Sequence, residues 1–190
     1  MSRELDFLSG AAVDAAPQLL GCVLERTIGD TLLRVRIVET EAYDQTDIAS
    51  HSYNGQTPRT TVMFGEPGHL YVYFTYGMHY CCNIVTGPKG HGAAVLIRAV
   101  QPLSGEVDMQ QLRGEKSGVE LTNGPAKTCQ ALSIDRALNG HDISLSPLIL
   151  TPGSLASHES IIQTTRIGLS KGSDIPWRFY IKDNPYVSRE

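Results

Sequence analysis

The segment Ala93-Ala94-Val95-Leu96-Ile97-Arg98-Ala99-Val100 most constrains how this chain can fold. A nearly continuous apolar run of this length describes a strand covered on both faces, as in the middle of a sheet. One charge stands inside it. A buried Arg98 guanidinium requires a carboxylate or another acceptor.

Neighbouring strands are readable on either side. Cys22 to Ile28 alternates, Gly29-Asp30 suits a two-residue turn, and Thr31 to Thr40 alternates again, so these runs form a hairpin. Leu70 to Phe74 and Cys81 to Thr86 form two more strands, with Gly77 giving the backbone freedom to turn between them. Arg178 to Lys182 reads as a late strand, followed by Pro185. Helices are expected over 9–20, kinked or ended near Pro17, over Gly105–Arg113, and over Ile161–Ile167. Asn123-Gly124-Pro125 caps another, which runs through Leu132. The polar stretch Asp44–His69 holds Asn54-Gly55, Thr57-Pro58 and Glu66-Pro67-Gly68 and reads as a long ordered loop, a class that is usually functional. These pieces predict a mixed α/β (α+β) fold. It is one domain over residues 1–190, a curved, largely antiparallel sheet with flanking helices and a protruding β-hairpin.

Composition narrows the classes. With 190 residues, 41% hydrophobic and 19% charged, the chain can bury a sizeable core. No window approaches the ~18 apolar residues of a membrane helix. Met1-Ser2-Arg3-Glu4-Leu5-Asp6 lacks the basic-then-apolar layout of a leader, so a cytoplasmic protein with reduced thiols is expected. Cys81 and Cys82 point to opposite faces of a strand, no Cys-x-x-Cys occurs, and no two histidines stand four apart. No metal is therefore expected. A pI of about 5.8 and a net charge of −4 speak, taken alone, against a nucleic-acid partner.

Candidate chemistry begins with Leu33, Val35, Ile37, Glu39 and Glu41, which share one face of a regular strand. A carboxylate on an apolar stripe is either functional, its pKa raised by desolvation toward that of a general base, or lies beyond the strand's end in water. Arg98 is a natural partner for either, as an ion pair or as part of a catalytic group. Tyr71, Tyr73, Tyr76 and Tyr80 crowd one hairpin, and Tyr43 follows Glu41 by two. They form a tyrosine-rich sheet face or a stacking cage for a planar, preferably cationic, ring. Tyr76, beside Gly77 at the tip, suits a wedge between stacked bases. Paired carboxylates also admit a carbohydrate glycoside hydrolase, although Trp177 is the sole tryptophan.

Val38-Glu39-Thr40-Glu41-Ala42-Tyr43, Ala49-Ser50-His51-Ser52, Gln56-Thr57-Pro58-Arg59, Pro67-Gly68-His69-Leu70-Tyr71-Val72-Tyr73, Tyr76-Gly77-Met78, Val95-Leu96-Ile97-Arg98-Ala99, Gly124-Pro125-Ala126-Lys127 and Pro185-Tyr186-Val187-Ser188 together resemble the alkyladenine (3-methyladenine) DNA glycosylase family of the mammalian type. The likeness is collinear from about Leu20 to Ser188 and points to a compact, bacterial-like member. It implies that Glu41 is the general base and that Arg98 helps hold the attacking water and the carboxylate. It further implies that Tyr43, His51 and Tyr73 wall the pocket for a flipped base, that Asn83 on its floor crowds the 2-amino group of guanine, and that Tyr76 intercalates. Arg59 and Lys127 would be phosphate or framework positions.

The implied activity is monofunctional excision of alkylated or deaminated purines from double-stranded DNA, reached from the minor groove, by a monomer without cofactor, metal, membrane or lyase chemistry. A non-enzymatic lesion-binding module is the alternative. The chain departs from mammalian members in a shorter Glu41–His51 spacing, in Tyr53-Asn54-Gly55, which lacks their basic residues, and in Phe74-Thr75, where they have aliphatics. These departures bear on lesion preference and phosphate contacts. The acidic balance then constrains geometry. With 6 basic against 10 acidic residues over 1–90, and 10 against 10 over 91–190, DNA must meet a local patch drawn from Arg59, Lys89, Lys127 and Lys171.

Overall fold

The computed structural model describes residues 3–188, so the leader reading at Met1-Ser2 lies outside the described residues. The alternating runs become strands β1 (Val23–Ile28), β2 (Thr31–Asp44), β3 (Leu70–Thr75), β4 (His79–Val85), β5 (Ala93–Ser104), β6 (Leu148–Thr151), β7 (Ile161–Thr164) and β8 (Arg178–Ile181). All belong to one sheet in the order β3-β4-β5-β2-β1-β6, with β8 beside the far half of β2 and β7 beside β8. Every pairing is antiparallel, and the sheet curls into a half-barrel. Helix α1 (Ala12–Gln18) packs on β2 and β5, α3 (Pro125–Ala131) on β4 and β5, and α2 (Glu106–Leu112) beside α3.

The run singled out in the sequence is central as expected. β5 lies between β4 and β2, and Val95, Ile97, Ala99 and Val100 are fully buried. Each of these valine and isoleucine side chains contributes roughly 1.5–3 kcal/mol on leaving water. The first hairpin closes with Ile28 opposite Thr31. The second turns at Tyr76 (φ 52) and Gly77 (φ 68), with the Met78 N–H donating to the Thr75 carbonyl at 3.2 Å. Two positive φ values in succession match the twist of paired strands. Gly77 takes that conformation freely, whereas a bulky tyrosine is strained there.

Several boundaries differ from expectation. Residues 161–167 are not helical. Ile161–Thr164 is a strand, because β-branched Ile161, Ile162 and Thr164 suit the open edge of β8. α1 starts at Ala12, after a 3₁₀ turn over Arg3–Ser9, and Pro17 lies inside its last turn. α3 opens within Asn123-Gly124-Pro125 as expected, with Gly124 as the cap and Pro125 in the first turn, while the Asn123 side chain accepts from Lys127. Short β6 was not anticipated. The polar 44–69 stretch is a series of turns with one 3₁₀ turn at Thr61–Phe64. It docks on the turn just ahead of β5, through His91 Nε2 to Asp44 at 2.6 Å and Ser52 Oγ to the Gly92 carbonyl at 2.7 Å. Gly92 is required there, since a Cβ would stand 2.5 Å from the Phe64 ring and 2.7 Å from Ser52 Cβ.

The expected five-residue face does not exist. Ile37 pairs with Val100, Glu39 with Ala99, and Thr40 with Ile97, so Val38 is an extra residue in β2 and Arg98 an extra residue in β5. These facing bulges restore the register but switch the alternation in both strands. Leu33, Val35 and Ile37 point into the core; beyond the bulge Thr40 does, with its hydroxyl donating to the Ala16 carbonyl of α1 at 2.9 Å. Glu39, Glu41 and Tyr43 therefore lie on the other face. The switch falls where β2 changes partner, from β1, whose pairing ends at Val23–Arg36, to β8, which begins at Glu39–Tyr180.

Candidate active site

Residues directly opposite one another share a face of a sheet. Tyr71, Asn83, Leu96, Glu41 and Arg178 are successive partners across β3, β4, β5, β2 and β8, so they form one row on the face away from α1. Tyr73 and Tyr43 stand two residues along from Tyr71 and Glu41 and share this face. The double bulge is what brings β2 and β5 into the row.

At its β8 end the row carries two buried carboxylates between two arginines. Glu41 Oε1 accepts from the Ile167 N–H at 2.9 Å and lies 3.4 Å from Arg98 Nη1, while Oε2 accepts from the Tyr43 hydroxyl at 2.8 Å. Glu39 Oε1 lies 2.7 Å from Arg178 Nη1 and 3.3 Å from Arg98 Nε. Arg98 thus bridges both carboxylates, which have no exposed side-chain surface. Its bulged position frees it from regular pairing and aims it between them.

At the β3 end the row opens into a cavity of about 390 Å³, counting its mouth, walled by Tyr43, His51, Tyr71, Tyr73 and Asn83. The Tyr71 and Tyr73 rings stack at 5.7 Å, and the His51 ring meets Tyr73 edge-on at 4.6 Å. His51 Nδ1 lies 3.1 Å from the Tyr71 hydroxyl. Although His51 stands exposed at the rim, enclosure of its ring and then the Arg59 guanidinium push its pKa down to about 4. Burial, then the Glu41 charge, holds the Tyr43 hydroxyl far above its usual range; burial does the same for Tyr73. The walls are therefore neutral and electron-rich at pH 7. Asn83 is buried, its amide donating to the Tyr71 carbonyl at 3.1 Å.

Seven of the nine residues singled out from the sequence lie on or beside this face; Tyr76 and Lys127 stand apart from it. Tyr76 is 84% exposed at the hairpin tip. Arg59 stands over the Tyr73 ring at 5.7 Å, with Nη2 3.4 Å from His51 Nε2. Lys127 is apart on α3, where Nζ donates to Glu120 and Asn123 at 2.7 Å each and ties the helix to the 118–121 turn. Lys89 is paired with Glu66 at 3.1 Å.

The sequence reading missed Arg166. Its side chain is fully buried, bonded to Asp47 and to the Ala42 carbonyl at 3.0 Å, and stacked 4.7 Å from the Tyr43 ring. It pins the segment that supplies the Ile167 N–H to Glu41 and Leu169 to the cavity. Ser188, which carries no chemical signal of its own in the sequence, bonds Glu39 through both N–H and hydroxyl. Among the described residues no three His, Cys, Asp or Glu side chains are grouped to hold a metal ion, and no helix is long and apolar enough to cross a membrane.

Comparison with known proteins adds the family context. A family model described as methylpurine-DNA glycosylase matches residues 6–185. A protein of Carboxydothermus hydrogenoformans that carries the name 3-methyladenine DNA glycosylase is 53% identical over 176 residues, 92% of each chain. Relatives with the same name from Francisella tularensis and Methanoculleus marisnigri are each 46% identical, over 94% and 100% of both chains.

Proposed function

The chain belongs to the methylpurine-DNA glycosylase family, and we propose that it excises alkylated or deaminated purines from double-stranded DNA by a single hydrolytic step. The observation that carries this reading is the Tyr43 hydroxyl, which joins the aromatic cavity to the Glu41 carboxylate at 2.8 Å. A purine turned out of the duplex stacks among Tyr43, Tyr73 and His51, while Tyr76, presented from the minor-groove side, fills the gap it leaves. Extrusion costs a few kcal/mol, least at a weakened pair. Neutral aromatic faces attract a cationic alkylpurine by about 0.5–2 kcal/mol. Asn83 restricts the cavity floor against a 2-amino group.

Glu41 takes a proton from a water whose oxygen attacks the anomeric carbon. The N-glycosidic bond breaks, its electron pair leaves with the base, and the sugar retains the new hydroxyl. An alkylated cationic base leaves as a neutral molecule. Arg98 holds the carboxylate in place. No lysine is among the described residues lining the cavity, which supports hydrolysis without strand cleavage. Glu39 has both oxygens engaged by Arg178 and Ser188, which disfavours the paired-carboxylate chemistry of a sugar hydrolase.

Incubation with alkylated duplex DNA tests the reading. The protein should release free base and leave abasic sites that break only on heating. Glu41→Gln should bind lesion DNA as wild type does and lose excision by about 10²–10⁴-fold. Binding without release by the wild type would make the protein a lesion-binding module; full activity in Glu41→Gln would remove the assigned base.

A further inference from the structure

Glu39 has no part in the step just described, yet it is the most heavily bonded carboxylate of the site. Oε1 accepts from Arg178 Nη1 at 2.7 Å and from the Ser188 hydroxyl at 3.1 Å, and Oε2 accepts from the Ser188 N–H at 2.8 Å. Arg98 Nε lies 3.3 Å from Glu39 Oε1 and donates to Ser188 Oγ at 3.2 Å. The same guanidinium presents Nη1 to Glu41 at 3.4 Å.

This arrangement divides the work of the two arginines. Arg178, stacked 5.0 Å from the Tyr180 ring on β8, neutralises Glu39 from one side. Arg98 is then held by one edge and directed by the other. A guanidinium is a rigid planar fork, so fixing Nε fixes the direction of Nη1. The restraint is needed because Arg98 is the extra residue of its bulge and no β2 partner sets its orientation. The charged and titratable groups gathered here are Glu39, Glu41 and Tyr43 from β2, Arg98 from β5, and Arg178 and Tyr180 from β8.

We propose that Glu39 is a positioning residue for base excision: with Ser188 it clamps the Nε edge of Arg98 so that Nη1 is presented to Glu41. The inference rests on the reading of Glu41 as the general base.

Single-turnover excision with enzyme in excess, the dissociation constant for the same lesion duplex, and the melting temperature together test it. Glu39→Gln should slow excision on the order of 10²-fold, the scale of a small misplacement of a catalytic group, while lesion affinity stays within about threefold. Ser188→Ala removes one bond to Glu39 and the acceptor for Arg98 Nε, and should slow excision about 10-fold; Ser188→Thr keeps both groups and should return the rate to near wild type. If Glu39→Gln does not fold, the Ser188 pair decides. Wild-type rates in folded Glu39→Gln and Ser188→Ala overturn the proposal, as does a loss of affinity that accounts for the whole loss of rate. Glu41→Gln is assayed alongside. Its full activity would sink the general-base reading itself, whereas an inactive Glu41→Gln beside unaffected Glu39 and Ser188 variants would sink the positioning role alone.

Discussion

Replacing Arg166 by methionine isolates the energetics that hold the cavity wall. Arg166 and Asp47 form an ion pair with no exposed side-chain surface on either partner. The guanidinium also donates to the Ala42 carbonyl at 3.0 Å and the Gly172 carbonyl at 3.1 Å, and lies 4.7 Å from Tyr43 and 5.5 Å from Trp177. Arg166→Met keeps the apolar stem but leaves Asp47 buried with the Ala49 N–H, at 3.0 Å, as its remaining donor. Breaking such a pair from one side costs about 3–5 kcal/mol. For a chain of 190 residues that corresponds to a fall in Tm of about 6–20 °C. Adding Asp47→Asn removes the stranded charge and keeps an acceptor for Ala49, so the double variant should be more stable than Arg166→Met alone. Trp177, the sole tryptophan, reports the transition by its fluorescence during urea unfolding. A loss below about 1 kcal/mol in Arg166→Met, or a double variant weaker than the single one, would refute the reasoning.

Three further outcomes are expected. Tyr43→Phe removes one bond to Glu41 and should slow excision about 10-fold while changing stability by less than about 1 kcal/mol, compared by single-turnover rates and melting curves. Tyr76→Gly should weaken lesion-DNA affinity yet raise Tm slightly, because it relieves a tyrosine at φ 52; a lowered Tm would contradict the strain. His51, held near pKa 4 in the folded protein, should remain neutral by NMR at pH 5.5. The unfolded chain takes up that proton near pH 6.5, so this residue's share of stability is present above that pH and is lost as pH falls toward 4. His51→Gln should flatten the dependence.

What the sequence disclosed followed from local chemistry. Gly29-Asp30 and Gly77 announce their hairpins, and the 93–100 run announces its central place, because turn conformation and two-sided burial each leave a composition at the spot. Ile161–Thr164 was misread because a four-residue edge strand is too short for period two to stand out from a helical turn. The aromatic walls and the Glu41–Arg98 pairing were accessible, the first as a cluster and the second as a charge without a partner. Arg166 and Asp47 were not, since they lie 119 positions apart in irregular segments and carry no periodicity to betray burial. Ser188 was unreadable as a ligand of Glu39 for the same reason, at a separation of 149.

The face on which Glu39 and Glu41 stand is stored as a parity. Between Ile37, which points to the core, and Glu41, which lies on the opposite face, the decisive quantity is the number of residues in each strand and not their identity. Substituting Val38 by another apolar residue of similar size leaves that number intact, so point variants at this buried position would report only on its packing. Deleting it would turn Glu39, Glu41 and Tyr43 together into the apolar interior against α1. The placement of Glu39, Glu41 and Tyr43 thus depends on the length of β2 as much as on its side chains, and is exposed to the loss of a single codon.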